Sequence, residues 1–185
     1  MAQRLITPPT ELAVTLDQAK ANLRVDGSDM DALITMWTQG IIASLEHEIG
    51  QCLMSQVWEV TLDAFPIAIS LPHPVIGVSS VNYVDTGGLA QTLSADDYKL
   101  VRSAYASSLV PASGTLWPGT FQDANVVTVT LICGCGATPD DTPANVRLYI
   151  LAKLVEQFDP ATRLERDTVQ SDFVGRLLDA CRTYT

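Results

Sequence analysis

The spacing of the apolar residues changes twice along this 185-residue chain, and this change restricts the fold more than any other feature. Between residues 30 and 49, apolar side chains recur every three or four positions, as on one face of a helix. Between residues 57 and 63 they alternate with polar side chains, as on a half-buried strand. From residue 143 onwards the helical spacing returns. The sequence therefore predicts helices, then a β segment, then helices again.

The N-terminal part is predicted to be an extended arm followed by a helical hairpin. Thr15 and Gln18 have the spacing of a capping box, which predicts a first helix over residues 16–25. Ser28 is the predicted N-cap of a second, longer helix, and Gly50 is its predicted stop.

The middle of the chain is predicted to form five or six short strands in a small antiparallel sheet or barrel. The predicted strands cover residues 57–63, 67–71, 78–85, 91–93, 98–102 and 126–132. Gly87 and Gly88 favour a hairpin turn between two of them. Residues 103–125 are rich in Ser, Gly, Pro and Ala, and we interpret them as a long contact loop.

Two helices are predicted at the C-terminal end. The first begins at Thr142 and Pro143 and has a main apolar face of Leu148, Leu151, Val155 and Phe158. Val146 and Tyr149 fall off that face, so either this helix is buried on several sides or its second side meets a neighbouring subunit. A last helix over residues 172–182 has one apolar side, which consists of Phe173, Val174, Leu177, Leu178 and Cys181.

These elements predict an α+β fold in which the N- and C-terminal helices pack as one bundle and an inserted, small antiparallel β lobe projects from it. Residues 1–52 are the predicted arm and helical hairpin. Residues 53–138 are the predicted β lobe, and residues 139–185 are the predicted C-terminal helices and tail.

The charge of the chain argues against a nucleic-acid reader. Its formal net charge is −10 at pH 7, and an acidic protein does not gain the counterion release that drives DNA binding. The N-terminus lacks the apolar run of a signal peptide, and no stretch reaches the length needed to cross a bilayer. We therefore predict a soluble protein that is not secreted by a classical route.

Residues capable of catalysis are few and scattered. His47 and His73 are predicted surface residues, and no nucleophile elbow or phosphate-binding glycine motif accompanies them. The acidic pairs at residues 96–97 and 140–141 precede structural elements, which favours turn and capping roles. Cys133 and Cys135 have no second metal-binding arm, so we interpret them as a strand end that opens into a glycine turn. The sequence predicts no enzyme, no metal and no cofactor.

In the order of its motifs, the chain resembles the head–tail connector, or adaptor, proteins of long-tailed phages and prophages. Residues 14–26 are similar to the opening "vTLxeAKxhLRVD" of that family, and residues 56–66 are similar to its strand "qtWelxLdaFP". Residues 143–158 and 173–182 resemble its third and closing helices. The resemblance spans nearly the whole chain. It departs at residues 133–136, where relatives tend to carry an aromatic, as in "aGYG".

The resemblance implies a structural subunit of the phage neck. The expected partners are other copies of the chain in a ring (expected to be a dodecamer), the portal protein above and a tail-completion or stopper protein below. DNA would pass through the channel without sequence-specific binding, and no membrane is involved. The expected location is the virion neck at the capsid vertex, after assembly in the host cytoplasm.

The resemblance also suggests which residues make these contacts. The expected portal-binding residues lie in the closing segment and are Phe173, Val174, Leu177, Leu178, Cys181, Arg182 and Tyr184. The segment is expected to be loosely held until assembly, because a helix of about ten residues is marginal alone in water. The expected subunit-interface residues are Val146, Tyr149 and Trp117.

Two other hypotheses remain open at the level of sequence. A tail-completion or stopper protein would form a similar ring one level lower in the neck. A β lobe that binds a carbohydrate or small ligand would need an aromatic platform, and no common face is evident for the candidates Tyr83, Tyr98, Tyr105 and Trp117. An enzyme is disfavoured because no catalytic constellation is present.

Overall fold

The computed structural model describes residues 1–158, 174, 176–179 and 181. The chain divides into two compact units. The sheet unit consists of Met1–Pro9 and Ser55–Gly134, and the helical unit consists of Thr10–Met54 and Cys135–Thr185. Sequence reasoning had grouped the N-terminal arm with the helices, whereas the structure groups it with the sheets because it pairs with a strand there.

The larger sheet of the sheet unit has five antiparallel strands. Their order across the sheet is β1-β2-β8-β4-β5. The strands are β1 (Ala2–Thr7), β2 (Gln56–Leu62), β4 (Val75–Val84), β5 (Ala90–Thr92) and β8 (Val127–Cys133). The central strand β8 alternates in burial, as predicted, because Val127, Val129 and Leu131 point into the core and are fully buried.

The smaller sheet has the order β3-β7-β6 and is also antiparallel. Its strands are β3 (Ile69–Leu71), β6 (Tyr98–Arg102) and β7 (Ser107–Pro111). The prediction of an unbroken loop over residues 103–125 is wrong, since β7 lies inside it. The strand pairs on both sides and buries Ser107 and Leu109. A buried serine and a terminal proline hide the apolar alternation that would have identified β7 in the sequence.

The predicted hairpin between β4 and β5 is confirmed. Its turn is built by Asp85, whose carboxylate accepts hydrogen bonds from the backbone N–H groups of Gly87 (2.9 Å) and Leu89 (3.0 Å). Gly88 adopts φ 83°, a left-handed conformation that glycine takes at little cost.

The helical unit begins with α1 (Leu16–Leu23), whose predicted capping box is present. The Thr15 hydroxyl accepts the Gln18 backbone N–H at 3.1 Å, and the Gln18 side chain accepts the Thr15 N–H at 3.2 Å. The helix ends earlier than predicted, because Arg24 turns left-handed at φ 57°.

The second helix, α2 (Asp31–Ile49), starts later than the sequence predicted. Ser28 is not its cap: Met30 holds that position, with no side-chain hydrogen bond to the helix. The predicted stop is correct, since Gly50 has φ 66° and donates its N–H to the carbonyl of Glu46. The sequence predicted the C-terminal end of this helix correctly, because a glycine is required there. It predicted the N-terminal end less accurately, because no side chain caps the helix there.

The third helix, α3 (Ala144–Phe158), buries a different side from the one that the sequence predicted. Its buried residues are Val146, Ile150 and Leu154, whereas Leu148 on the predicted main face is 54% exposed. Apolar residues lie on several sides of this helix, so its periodicity alone does not identify the side that faces the core.

The helical unit has one hydrophobic core, to which all three helices contribute together with Leu53, Met54 and Leu178. The prediction of a mixed α+β fold is confirmed, with three helices and two antiparallel sheets in the described part of the chain.

Candidate interaction surfaces

The described residues contain no group of three or more His, Cys, Asp or Glu side chains that could hold a metal ion. None of the described helices is long and apolar enough to cross a membrane.

His73 is the one histidine that the fold brings next to a potential nucleophile, among the described residues. Its Nδ1 lies 3.0 Å from the Ser107 hydroxyl, and burial lowers the pKa of the imidazole. Ser107 is only 2% exposed, so a substrate cannot reach its hydroxyl. The pair therefore acts as a structural contact between β7 and the loop before β4. The prediction of a surface histidine is wrong for His73, which is half-buried, and correct for His47, which is exposed.

The acidic pairs have the structural roles that the sequence predicted. Asp141 accepts hydrogen bonds from the backbone N–H (2.9 Å) and hydroxyl (2.8 Å) of Thr138, and these bonds lower the pKa of its carboxyl. Asp140 forms an ion pair with Arg147 at 2.7 Å. The pair at residues 96–97 lies in a short 3-10 turn whose N-cap is Ser94.

The two cysteines of the C-x-C motif have separate structural environments. Cys133 is the last residue of β8 and is buried, and Gly134 follows it with φ 131°, as expected for a strand that opens into a glycine turn. Cys135 belongs to the helical unit, where burial raises the pKa of its thiol, as do the nearby thiols of Cys181 and Cys52. A raised thiol pKa gives little thiolate at neutral pH, so Cys135 is a poor nucleophile.

The C-terminal segment was expected to offer its apolar side to the portal, but the structure buries part of that side in the helical unit. Leu178 is fully buried in the helical core, and Val174 is 5% exposed. The Asn145 side chain donates to the Leu177 carbonyl at 2.7 Å, and the Gln51 side chain donates to the Cys181 carbonyl at 2.9 Å. Phe173, Arg182 and Tyr184 lie outside the described residues.

The three residues predicted at a subunit interface are placed in different environments. Val146 is 1% exposed and packs in the core of its own helical unit, so it has no surface to offer a neighbour. Tyr149 lies along an open groove of about 400 Å³ between α2 and α3, beside Trp37 and Lys153. Trp117 belongs to the sheet unit, where it stacks on Phe65 with ring centroids 4.7 Å apart.

The aromatic residues of the sheet unit are closer together than the sequence indicated. Phe65 contacts Tyr83 edge-on, with centroids 5.7 Å apart, as well as stacking on Trp117. Sequence reasoning found no common face for Tyr83 and Trp117, because Phe65, which joins them, is distant from both in sequence. The rings pack mainly against one another, which is the arrangement of a small satellite core rather than of an open ligand platform.

A surface that sequence reasoning missed lies around this aromatic cluster. Leu89 (66%) and Phe121 (45%) are exposed in the loops at the end of β4, and Ile67 (92%) and Leu116 (92%) are exposed close in sequence to Phe65 and Trp117. The backbone of Phe121 bonds to the Val84 carbonyl at 3.0 Å, and an isolated bridge joins Asp85 to Thr120, so these loops meet at one end of β4. A set of exposed apolar side chains on one end of a unit is typical of an interaction site.

Comparison with known proteins gives structural neighbours only. No protein-family model matches the chain, and no curated protein matches it. Three solved structures contain similar chains, each 20% identical over 100% of this chain and 97% of the other. They are the neck of an empty gene transfer agent particle computed with C6 symmetry (TM-score 0.82), the virion of a native gene transfer agent particle (0.78) and the neck of a native particle computed with C12 symmetry (0.74). At this identity the likeness shows that the chain shares their fold.

Proposed function

We propose that the chain is a structural subunit of a phage-type neck, and more specifically a head–tail connector subunit that forms a ring beneath the portal. The observation that carries the proposal is the match, over the whole chain, to a chain found in the neck of a phage-like particle. In this role the protein joins other proteins and transforms no substrate.

The symmetry of those particles supports a ring. The neck structures were computed with C6 and C12 symmetry, and a closed ring repeats one contact between two different faces of each subunit. Each contact can be modest, because ring closure combines many of them. The net charge of −10 suits a channel that DNA passes through without being held.

For the C-terminal segment we propose that some residues hold it in its own unit and that others contact the portal. Leu178 anchors the segment by packing in the core of its own unit, and Val174 is buried as well. Phe173, Leu177, Cys181, Arg182 and Tyr184 then remain as the residues proposed to meet the portal. A deletion of all residues 171–185 would not test the portal contact alone, because it also removes the buried Leu178.

For the contact between copies we retain Tyr149 and Trp117 and leave out Val146, which is buried. Tyr149 lies on the open groove between α2 and α3, and Trp117 stacks on Phe65 in the sheet unit.

The decisive experiment is electron microscopy of the purified chain, alone and mixed with its portal. We expect a ring or collar on the portal. Deletion of residues 182–185 is expected to weaken portal binding without unfolding the chain, and Leu148→Ala serves as a control in the same unit.

Other outcomes would point elsewhere. A chain that binds only a preassembled portal–connector complex would be a stopper, which the neck matches allow equally. A chain that stays monomeric and does not bind the portal would contradict the proposal.

A further inference from the structure

The strand β1 differs from the other strands of the sheet unit in its place along the chain. β2 to β8 all lie within the continuous stretch Ser55–Gly134, whereas β1 belongs to the arm Met1–Pro9. The residues between β1 and β2, Thr10–Met54, belong to the helical unit. No short hairpin turn therefore joins β1 to β2, and the connectivity of the chain does not require the two strands to come from the same copy.

β1 is held only weakly on its own chain. All six of its side chains are exposed, so the strand buries none of them in the core of the sheet unit. It is held to β2 by an antiparallel backbone ladder, which shifts register after Leu5, and by the ion pair of Arg4 with Glu59 at 2.8 Å. The Arg4 side chain is 71% exposed, and an exposed ion pair contributes little to stability.

The other end of the arm is fixed firmly in the helical unit. Ala13 and Val14 are fully buried in the core of that unit. Pro8 and Pro9 lie between this anchor and β1, and their rings favour an extended backbone. The five residues 8–12 can span about 17 Å when extended. The arm is therefore an extended segment that is anchored at one end and weakly held at the other.

β1 also carries apolar side chains that its own chain leaves uncovered. Met1 is 64% exposed, Leu5 41% and Ile6 45%. β1 is an end strand of its sheet, so one side of its backbone has no partner strand in that sheet. An end strand with exposed apolar side chains is a surface that proteins usually cover in an assembly.

We propose that each copy donates β1 to β2 of the next copy in the assembly. The strand would pair there in the register that the structure shows within one chain, with Ala2 opposite Thr61 and Arg4 opposite Glu59. Exchange of an identical strand conserves these contacts, so it costs little beyond bringing the copies together, and a ring holds neighbouring copies at high local concentration.

This exchange deepens the proposed neck role and rests on it for the ring. The donated strand and the receiving β2 are two different surfaces of each copy, and a contact between different surfaces is the type that closes a ring. Each copy would then give one arm and receive one arm.

A disulfide engineered between β1 and β2 tests the exchange. The full-length double variant Ala2→Cys and Thr61→Cys is produced together with the portal, oxidised, and run on a denaturing gel without reductant. Facing residues of antiparallel strands have their Cα atoms about 4.5–5.5 Å apart, which a disulfide can bridge. A matched control carries Ala2→Cys and Thr92→Cys, because β5, which contains Thr92, lies at the opposite edge of the same sheet.

If the arms are exchanged, each disulfide joins one copy to the next, and the gel is expected to show a ladder of covalent multimers up to the size of the ring. A mixture of the two single variants is expected to stop at dimers, because each copy then has only one of the two thiols. The control pair is expected to give no ladder. Peptide mapping by mass spectrometry identifies the linked residues and separates them from links through the native cysteines.

Two results would overturn the exchange. A double variant that forms the disulfide but runs as a covalent monomer would show that β1 stays on its own chain. A double variant that forms no disulfide would show that β1 does not lie on β2 in either way.

Neither result would by itself remove the chain from the neck, because portal binding in the microscope is a separate measurement. A collar on the portal with monomeric disulfides would leave the proposed role in place and exclude the exchange. A ladder without a collar would support the exchange and contradict the proposed role.

Discussion

The helical unit and the sheet unit differ in how many of their large apolar side chains are exposed to solvent. Among the described residues of the helical unit, only Met36 and Leu148 are large hydrophobic residues with exposed side chains. The sheet unit exposes ten such residues: Met1, Leu5, Ile6, Ile67, Ile76, Leu89, Val101, Tyr105, Leu116 and Phe121. The helices pack most of their apolar side chains into one core that includes Leu178. The sheet unit leaves many of its apolar side chains exposed to solvent.

The difference separates residues that stabilise the fold from residues available to partners. The resemblance assigned most contact residues to the C-terminal helices, and the sequence showed no partner for the apolar side of the last helix. For Val146 and Leu178 the structure supplies that partner in the core of the same unit, and Val174 is buried as well. The exposed apolar side chains instead concentrate on loops and end strands of the sheet unit, where few could be recognised from periodicity.

The largest expected effect tests whether the C-terminal segment belongs to the helical core. Leu178→Ala removes a fully buried side chain, and we expect it to lower the free energy of unfolding by about 2–5 kcal/mol. Chemical denaturation followed by circular dichroism measures the loss. The control Leu148→Ala changes an exposed leucine of the same unit and should stay within about 0.5 kcal/mol of the wild type. Equal effects for the two variants would mean that the segment is not docked as described.

A smaller effect is expected at the start of the helical unit. Thr15→Ala removes the acceptor of the capping box, which leaves the Gln18 backbone N–H without that bond. The expected loss of stability is about 1 kcal/mol. Thr15→Ser keeps the hydroxyl and should restore most of it. If Thr15→Ala unfolds at the same denaturant concentration as the wild type, the cap contributes nothing to this unit.

In the sheet unit, Asp85 gives a pH-dependent effect. The hydrogen bonds from the Gln91 side chain and from the N–H groups of Leu89 and Gly87 hold the pKa of its carboxyl below the usual value. The folded state therefore prefers the ionised carboxyl. This contribution is complete above the pKa of the unfolded chain and is lost as the pH falls through the folded pKa.

Urea denaturation at a series of pH values tests this prediction. Asp85→Asn should be less stable than the wild type near neutral pH, and the two should converge in acid. Gln91→Ala, which removes one of the three donors, should fall between them. Parallel curves for the wild type and Asp85→Asn would show that the carboxylate has no such role.

The smallest expected effect on stability is at Leu116 in the sheet unit. Leu116 is 92% exposed, so Leu116→Ser should change the free energy of unfolding by less than about 0.5 kcal/mol. A large loss of stability would show instead that Leu116 supports the fold of the sheet unit, and the contrast between the two units would be weaker.

Features that depend on neighbours in sequence were predictable. The capping box at Thr15, the stop at Gly50 and the alternation of β8 each follow from a few adjacent residues. Features that depend on distant partners were missed. β7 is a strand because β3 and β6 flank it, and the bond between His73 and Ser107 joins residues 34 apart.

The order of helices and strands and the mixed α+β class follow from the sequence alone, because the spacing of apolar residues and the capping and turn residues act over a few positions. The buried side of α3, the packing of Leu178 and the set of exposed apolar side chains depend on contacts between elements that are distant in sequence. An apolar residue gains free energy from burial against any suitable neighbour. Its own sequence context therefore specifies that it needs a partner, while the arrangement of the other elements determines whether that partner lies within the chain.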